Sequence, residues 1–569
     1  MFLDQQQSQI VKAELMVKAK NWVERVADKV EEYVRNYKKE GETVVCASGI
    51  SPSGPIHLGN LREIMTVHLV SEELRARGRR VEHIHSWDDF DRLRKVPQNI
   101  SEDFSEYIGR PISDVPDPLG EYESYAMRFM SEFEQGMGQL GIRPRYIRQS
   151  QAYRRGDYTE KIKLAMKERF KIFDILAQYQ TLDRFEDSLD ERRSSYYPFK
   201  VYCESCGKDF TRITSYDEQE ARIDYFCTND NYAGSFSLNE KVAGKLVWKV
   251  DWPMRWSYER VDFEPAGEDH SAPGSSFVVG QQIVRNIFEA APPYFIGYAF
   301  VGMAGRSKIS SSAGTGATPA TALDIFEPCI LRWLYARRNV SQKFDIDFGQ
   351  EVLRVYDEWD TFCKRVQSDK AGEADRRLYD LCVRTSAGEV NCSELPVPFR
   401  LLSSSADITQ GNIEQILRIV SAHLDEPRPL DELQRLIEPR LSCAIRWAMN
   451  YLPEDERTQI REEPDVDIFD NLTEQQKQGL QILLDNLDED WSLHGLTRLL
   501  YGVPKLLLGL PIDAPPNEGL KQVQREFFIT LYLLLCGKDT GPRLPTLFLS
   551  IGKERVQRLL SLPVSQGQS

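Results

Sequence analysis

No stretch of this 569-residue chain is apolar for long enough to cross a bilayer. The longest apolar runs, near Tyr294–Gly305 and Phe527–Gly537, fall short of the ~18–20 residues that a spanning helix needs. The N-terminal stretch is polar, with charges scattered through its apolar positions, so no export signal is expected. Cysteines are few, ten in all, and only Cys203 and Cys206 stand close together. Without an export signal, that predicts reduced thiols and one metal site rather than a disulfide framework. These absences predict a soluble, cytoplasmic protein with no membrane partner. Positive charge is also in deficit: 72 basic against 87 acidic residues leave a net charge of −15, which excludes a uniformly basic nucleic-acid binder. A local basic surface on an acidic body stays open, because the field at a ligand depends on where the charges lie.

What is present is ordinary globular material, 41% hydrophobic and 28% charged, long enough for several domains. Residues up to Lys39 read as an amphipathic helix, with Ile10, Leu15, Val17, Trp22, Val23 and Val26 near helical spacing. A β-rich run at 43–47 leads into a Gly/Ser/Pro turn at 48–55. A helical pattern then runs from His57 through Leu74 and ends at Gly78, and Val81–Trp87 reads as a second strand. Strand, turn, helix, strand predicts a βαβ unit and a parallel, doubly wound sheet. Helical pattern is expected from about 120 to 189, a cysteine-containing β-rich stretch from 197 to 249, and α/β character again from 250 to 316. Beyond about 340 the chain reads as helical almost throughout.

Two loops carry the chemistry. The first is Pro55-Ile56-His57-Leu58-Gly59-Asn60, at a helix start after a strand, where backbone N–H groups and the helix dipole attract phosphate. The bland alternative is a tight structural turn with a surface histidine. The second is GRSKISSSAGTG at 305–316, whose lysine, hydroxyls and N–H groups suit a polyphosphate, although it lacks P-loop spacing. Taken alone it reads equally well as a flexible linker. Together, an HxGN turn and a KxSxS loop about 250 residues apart resemble the HIGH and KMSKS signatures of class I aminoacyl-tRNA synthetases. SGISPSGPIHLGN (48–60), WDDFDRLRKVP (87–97), KLVWKVDWPMRW (245–256), FEPAGEDH (263–270) and PVPFRLL (396–402) narrow the resemblance to the class I lysyl-tRNA synthetases.

That resemblance implies a Rossmann-type catalytic domain over about 40–340, preceded by a helix at 1–39. It also implies an insertion at about 120–249 and an α-helical anticodon-binding region at 341–569. The activity implied is ATP- and Mg²⁺-dependent activation of L-lysine and its transfer to the terminal adenosine of a lysine tRNA. His57, Asn60 and Lys308 are the implied catalytic residues. Pro52, Gly54, His57, Gly59, Asn60, Gly267, Asp269, Lys308, Ile309, Ser310 and Ser311 are the implied ATP contacts, with Asp269 on the ribose. Gly49, Ser51, Trp248, His270 and Tyr298 are implied to line the lysine pocket. Glu63 and the group Asp88, Asp89 and Asp91 are candidate partners for the ε-ammonium, and the plain reading of the three aspartates is a solvated strand end. For Trp248 the plain reading is core packing in a strand.

Two departures from the family pattern stand out. Ser311 and Ala313 occupy the places of a further loop lysine, so Lys308, helped by Arg306, would carry the polyphosphate. Cys203, Cys206, Cys227 and Asp230 resemble a pair of zinc knuckles with an aspartate in place of the fourth cysteine. No histidine lies between His85 and His270 to fill that gap, and a structural Zn²⁺ is the expectation. Two rival functions remain open at this level: a degenerate paralogue that binds tRNA or nucleotide without turnover, and a ligase that passes lysine to an acceptor other than tRNA.

Overall fold

The computed structural model describes residues 20–96, 102–179, 188–271, 274–304, 317–368, 370–424, 426, 428–515 and 518–561. The described chain forms two compact units. The first holds the residues up to 323 together with 328–347 and 362–391; the second holds 324–327, 348–361 and the residues from 392 onward.

The first unit is organised by parallel strands. Helix α1 (Trp22–Val34) starts at a capping box in which Asn21 and Glu24 bond each other's backbone N–H, and Trp22 donates its indole N–H to the Ala336 carbonyl at 2.7 Å. Strand β1 (Val44–Ile50) runs three residues past the stretch expected from sequence, and helix α2 (Leu58–Ala76) follows, with Gly78 at φ +84 in the turn after it. Strand β2 (Val81–Trp87) pairs with β1 in parallel, Val44 opposite Val81 and Ile50 opposite Trp87. Within the stretch expected to be helical, helix α3 (Tyr125–Gln139) gives way to a short strand β3 (Arg145–Arg148), which pairs with β2. Four residues carrying an arginine at each end give no period-2 apolar signal, so pairing rather than pattern makes that strand.

Residues 199–246 contain β4 (Phe199–Val201), the antiparallel three-stranded sheet β5 (Thr211–Asp217), β6 (Arg222–Cys227) and β7 (Tyr232–Ser237), and β8 (Gly244–Leu246), which pairs back to β4. Helix α4 (Trp248–Glu259) follows at once, so Trp248 opens a helix rather than lying in a strand. Phe263 then bridges Cys46 on one side and Tyr294 on the other, both in parallel. Two short strands continue these lines, β9 (Ala266–Gly267) and β10 (Gly297–Tyr298), with helix α5 (Ser276–Asn286) between them. Strand positions therefore run β3, β2, β1, β9, β10, and the order reverses beside β1. Ligands of open α/β sheets bind at such a switch point, at the carboxyl ends of the strands. Strand β11 (Val301–Ala304) pairs in parallel with β12 (Phe344–Asp347), a strand inside the region expected to be helical.

Helix α2 is buried on nearly every side. Its Arg62, 1% exposed, donates to the carbonyls of Tyr335, Asn339 and Val340 at 2.8–3.2 Å and so caps the end of the helix Pro328–Ala336. The second unit is helical over its length, apart from its loops. It includes α6 (Leu493–Leu507) and α7 (Glu518–Cys536), packed around Leu500, Phe527, Leu531 and Phe548. A buried Arg440 in this unit is neutralised by Glu327 at 2.6 Å and Asp360 at 2.9 Å. Eight of the ten cysteines are free thiols; Cys329 and Cys392, which are disulfide-bonded, depart from the reduced state expected for all of them. Among the described residues no helix is long and apolar enough to cross a membrane.

Candidate active site

The carboxyl end of β1 feeds the turn that carries His57. That residue is the N-cap of α2: its Nδ1 accepts from Gly59 N–H at 3.0 Å, while Asn60 Oδ1 accepts from His57 N–H at 3.3 Å. A capping box made by histidine and asparagine fixes both side chains at the helix start. With Nδ1 used as an acceptor, the neutral ring carries its proton on Nε2 and can donate from it. Desolvation lowers the His57 pKa below the ordinary histidine value, which favours that neutral form. Gly59 has no room for a side chain, since a Cβ there would lie 2.7 Å from the His57 ring and 3.3 Å from the Val301 carbonyl. Pro52 is buried and Gly54 half-buried in the same turn.

The lysine-bearing loop was placed beside this turn on sequence resemblance. Lys308, Ile309, Ser310 and Ser311 lie outside the described residues, as do Arg306 and Ala313. Both flanks of the loop reach the His57 turn. Before it, Val301 has its carbonyl against Gly59; after it, the Ala317 carbonyl accepts from Leu58 N–H at 2.9 Å. Gly267, at the end of β9, lies under Asp269, whose Oδ1 would be 2.5 Å from a Cβ at 267. The carboxylate of Asp269 is exposed, at 65%.

Between the ends of β1, β2 and β9 lies a cavity of about 140 Å³. Gly49, Trp248 and His270 line it, as the sequence reading expects, and Glu63 and Asp88 do too. Tyr298 is joined to the same wall, because its hydroxyl donates to Glu63 Oε2 at 2.8 Å while Gly49 N–H donates to Oε1 at 2.7 Å. Ser51 lies just past the end of β1, half-buried, and is not part of the lining. Loss of solvent raises the Glu63 carboxyl to about 8.

A second carboxyl in the cavity, Glu264, was missed in the sequence. It accepts from the indole N–H groups of Trp252 at 3.0 Å and Trp256 at 2.6 Å, and burial raises it to about 7. Neither Glu63 nor Glu264 has a cationic hydrogen-bond partner or an ion pair among the described residues. The available signal was the spacing of Trp248, Trp252 and Trp256, which places three indoles on one face of a helix. Trp248 is 38% exposed and stacks on Trp252 at 5.2 Å, so it is not the core residue of the plain reading. His270 meets the edge of Trp252 at 5.6 Å.

Beneath the cavity the acidic residues after β2 are buried, not solvated. Asp89 accepts from the backbone and hydroxyl of Ser150. Asp91 pairs with Lys245 at 2.6 Å. Asp88 Oδ1 lies 2.6 Å from Arg255 as an ion pair without the alignment of a hydrogen bond. Asp251 binds Arg255 and the Tyr153 hydroxyl, with Lys245 at 3.4 Å. Of the three candidate aspartates only Asp88 reaches the cavity, and a guanidinium already faces it.

With this geometry in place, comparison with known proteins is specific. Residues 20–385 match the family described as tRNA synthetases class I (K). The chain belongs to that family. A lysine–tRNA ligase of Streptomyces coelicolor is 46% identical over 572 aligned residues, covering 95% of this chain and 98% of the relative. Lysine–tRNA ligases of Pyrococcus horikoshii and Treponema pallidum are 34% and 32% identical, covering 95% and 96% of this chain and 99% of each relative.

In this class I synthetase the β-rich stretch at 199–246 gathers one further group. The ligand atoms of Cys203, Cys206, Cys227 and Asp230 all lie within 4.8 Å of one another, with Cys206 Sγ 3.7 Å from Cys227 Sγ and Cys203 Sγ 3.9 Å from Asp230 Oδ1. Three sulfurs and a carboxylate at these separations fit a tetrahedral Zn²⁺, whose Zn–S bonds of about 2.3 Å put neighbouring sulfurs somewhat under 4 Å apart. It is the one metal-competent cluster among the described residues of the synthetase.

Proposed function

We propose that this synthetase activates L-lysine with ATP and transfers it to the 3′-terminal adenosine of a lysine tRNA. In the first step a lysine carboxylate oxygen bonds to the α-phosphorus, and the bond from that phosphorus to the pyrophosphate oxygen breaks. In the second, the tRNA 2′-hydroxyl attacks the carbonyl carbon of lysine and AMP leaves. The observation that carries the reading is the pair Glu63 and Glu264. Both are buried carboxyls oriented by neutral donors, and they line a cavity at the carboxyl ends of the strands, near an anion-binding helix start. An ε-ammonium entering that cavity supplies the counter-charge they lack, while Trp248 and Trp252 give its methylene stem an aromatic wall.

At the phosphate end, His57 Nε2–H and the α2 N-terminus donate to the oxygens that gain charge as pyrophosphate leaves. Asn60 is a positioning residue, since its bond to the His57 backbone holds the turn. Pro52, Gly54, Gly59 and Gly267 leave room for adenosine, Asp269 accepts from a ribose hydroxyl, and Lys308 with Ile309, Ser310 and Ser311 grips the β- and γ-phosphates. Gly49, Trp248 and His270, with Tyr298 behind Glu63, form the lysine end, and Ser51, just past the end of β1, lies outside that lining. Mg²⁺, when bound with ATP, would neutralise phosphate charge. Cys203, Cys206, Cys227 and Asp230 hold a structural Zn²⁺ that braces the insertion, and the helices from 341 onward contact the anticodon part of tRNA. In this reading the reaction runs in the cytoplasm.

The test is formation of AMP and lysyl-tRNA from lysine, ATP and Mg²⁺, with and without tRNA, against glutamate and arginine. Lysine-specific charging is expected. A folded protein that binds tRNA and charges nothing would instead be the degenerate paralogue, and lysine-dependent AMP formation that never loads tRNA would point to another acceptor. Metal analysis of chelator-washed protein is expected to return one zinc per chain, and a value near zero sinks the zinc assignment.

A further inference from the structure

Toward the amino end of β2, away from the strand ends that hold the lysine cavity, the first unit contains another cavity, of about 130 Å³. Its walls are His68, Glu72 and Arg75 of α2, His83 of β2, Arg143, and Ser386 of the turn between Thr385 and Gly388. The α2 residues share one face of the helix by their spacing. Two charges on this wall cancel, because Glu72 accepts from Arg75 Nη1 at 2.6 Å, from Ser386 N–H at 2.7 Å and from the Ser386 hydroxyl at 2.8 Å.

What remains is positive. Arg143 is exposed and has no hydrogen bond or ion pair among the described residues. On the other side of the His68 ring, Arg332 is fully buried. It donates to the carbonyls of Leu140, Leu381 and Cys382, and to His68 Nε2 at 2.9 Å. Among the described residues no carboxylate pairs with it; Glu72 acts on it only through space, and burial lowers it to about 10. A guanidinium only donates, so His68 Nε2 is the acceptor and the neutral ring carries its proton on Nδ1. Burial, with Arg332 beside it, holds His68 well below the ordinary histidine pKa, which keeps the ring neutral. Its Nδ1–H has no acceptor among the described residues, although His68 is only 2% exposed. His83, whose Nε2 lies 3.4 Å from the Ser48 hydroxyl, also has no partner at Nδ1 among them. A buried donor without an acceptor is costly, and the cavity that both rings line is where an acceptor would stand.

We infer that this cavity binds a phosphate-type oxyanion, held by His68 Nδ1–H and the Arg143 guanidinium, with Arg332 as a buried counter-charge one imidazole away. A cation or an apolar ligand would leave the Nδ1–H without an acceptor and both guanidinium groups without an anion. Arginine suits phosphate because its planar fork meets two oxygens at once. The cavity is smaller than the roughly 300–1,000 Å³ of a drug-sized ligand pocket. An adjoining cavity of about 310 Å³ shares Glu72, Arg75 and Ser386 and adds Arg377, Asp380 and Arg384. It has room for the rest of a phosphomonoester, so free phosphate and a phosphoryl group are two sources of the same chemistry. The site is distinct from the α2 N-terminus, where His57 lies, and it does not depend on which amino acid the enzyme activates.

The experiment uses the full chain. Calorimetric titrations with inorganic phosphate and with glycerol 3-phosphate are run on the unmodified protein, Arg143→Ala and Arg143→Lys, and a crystal is soaked in tungstate, a heavy tetrahedral oxyanion. Tungstate is expected beside His68 Nδ1 and Arg143. Arg143→Ala is expected to weaken phosphate binding by about tenfold or more, the scale of one charge-assisted hydrogen bond. Arg143→Lys should restore part of that loss, since the charge stays while the fork is gone. Lysine-dependent AMP formation without added phosphate should be unchanged in both variants. Tighter binding of glycerol 3-phosphate than of phosphate supports the site with a phosphomonoester as its source, and the reverse order supports it with free phosphate. The inference is overturned by tungstate found only at the His57 turn, by no binding heat with either probe, or by an unchanged phosphate Kd in Arg143→Ala.

Discussion

Two groups of buried carboxylates lie at and beneath one cavity, and they differ in what holds them. Asp88, Asp91 and Asp251 face Arg255 and Lys245, cations that arrive on α4 and β8. Among the described residues, Glu63 and Glu264 accept hydrogen bonds from a backbone N–H, a tyrosine hydroxyl and two indoles and have no ion pair. The first group is held by ion pairs, three carboxylates sharing two cations under the cavity floor. The second is oriented but not neutralised, and burial has pushed its carboxyls up to about 8 and about 7. Arg255 acts on Glu264 electrostatically without forming an ion pair, and a buried carboxyl whose hydrogen-bond partners are all neutral can take a cationic ligand. The comparison also explains why the acidic cluster after β2, conspicuous in the sequence, turns out to be held by ion pairs, while two isolated glutamates line the cavity without one.

The largest effect that would break this division is on stability. Arg255→Ala leaves Asp88 and Asp251 buried without their guanidinium, and a loss of about 3–5 kcal/mol in unfolding free energy is expected from denaturant titration. A change under about 1 kcal/mol would show that these ion pairs do not brace the fold. Next is Glu63→Gln, which is expected to leave the fold intact while reducing kcat/KM for lysine by roughly two to three orders of magnitude, about 3–4 kcal/mol of a buried charged contact. An enzyme with Glu63→Gln and near-normal lysine kinetics would remove Glu63 from the substrate site.

The third effect is in pH. Each raised carboxyl must release its proton when an ammonium binds, so lysine binds more tightly as pH rises and levels off near the upper of the two values, about 8. KM for lysine is expected to fall at least tenfold between pH 6 and pH 8, and Glu63→Gln should flatten that slope. A lysine KM constant over this range would mean that the carboxyls are already ionised in the empty site. The smallest expected effect concerns the aromatic wall. Trp248→Leu should raise KM for lysine about fivefold, the scale of a partly exposed cation–π contact of about 1 kcal/mol, with stability nearly unchanged because Trp248 is 38% exposed.

How much of this could be read in the chain varies by element. The strand–turn–helix–strand unit around His57 was legible because each part has a local cause. β-branched and small residues make β1, glycines and prolines make the turn, and an apolar period makes α2. Gly49, Trp248 and His270 were placed in one pocket only through family resemblance, and the structure does bring them to one cavity. Strand β3 was invisible, since four residues framed by arginine form a strand only because β2 offers a free edge. Glu264 was invisible too: its neighbours Trp252 and Trp256 lie 12 and 8 positions earlier, and nothing in the linear order says that their N–H groups converge on it.

Sequence alone determined what local chemistry can dictate: the capped helix start at His57, the spacing of Cys203 and Cys206, the helical second half and the absence of an apolar span. Only the tertiary structure decided which carboxylates are paired and which wait. Compensation of a buried charge depends on distances across the sheet, between β2, α4 and β9, and those distances arise when the strands align. The same is true of the loop at 305–316, whose flanks meet the His57 turn through Val301 and Ala317 although some 250 residues separate them in the chain. The local pattern supplies the reacting groups; parallel packing, by burying them together and excluding water, gives them a charge to satisfy.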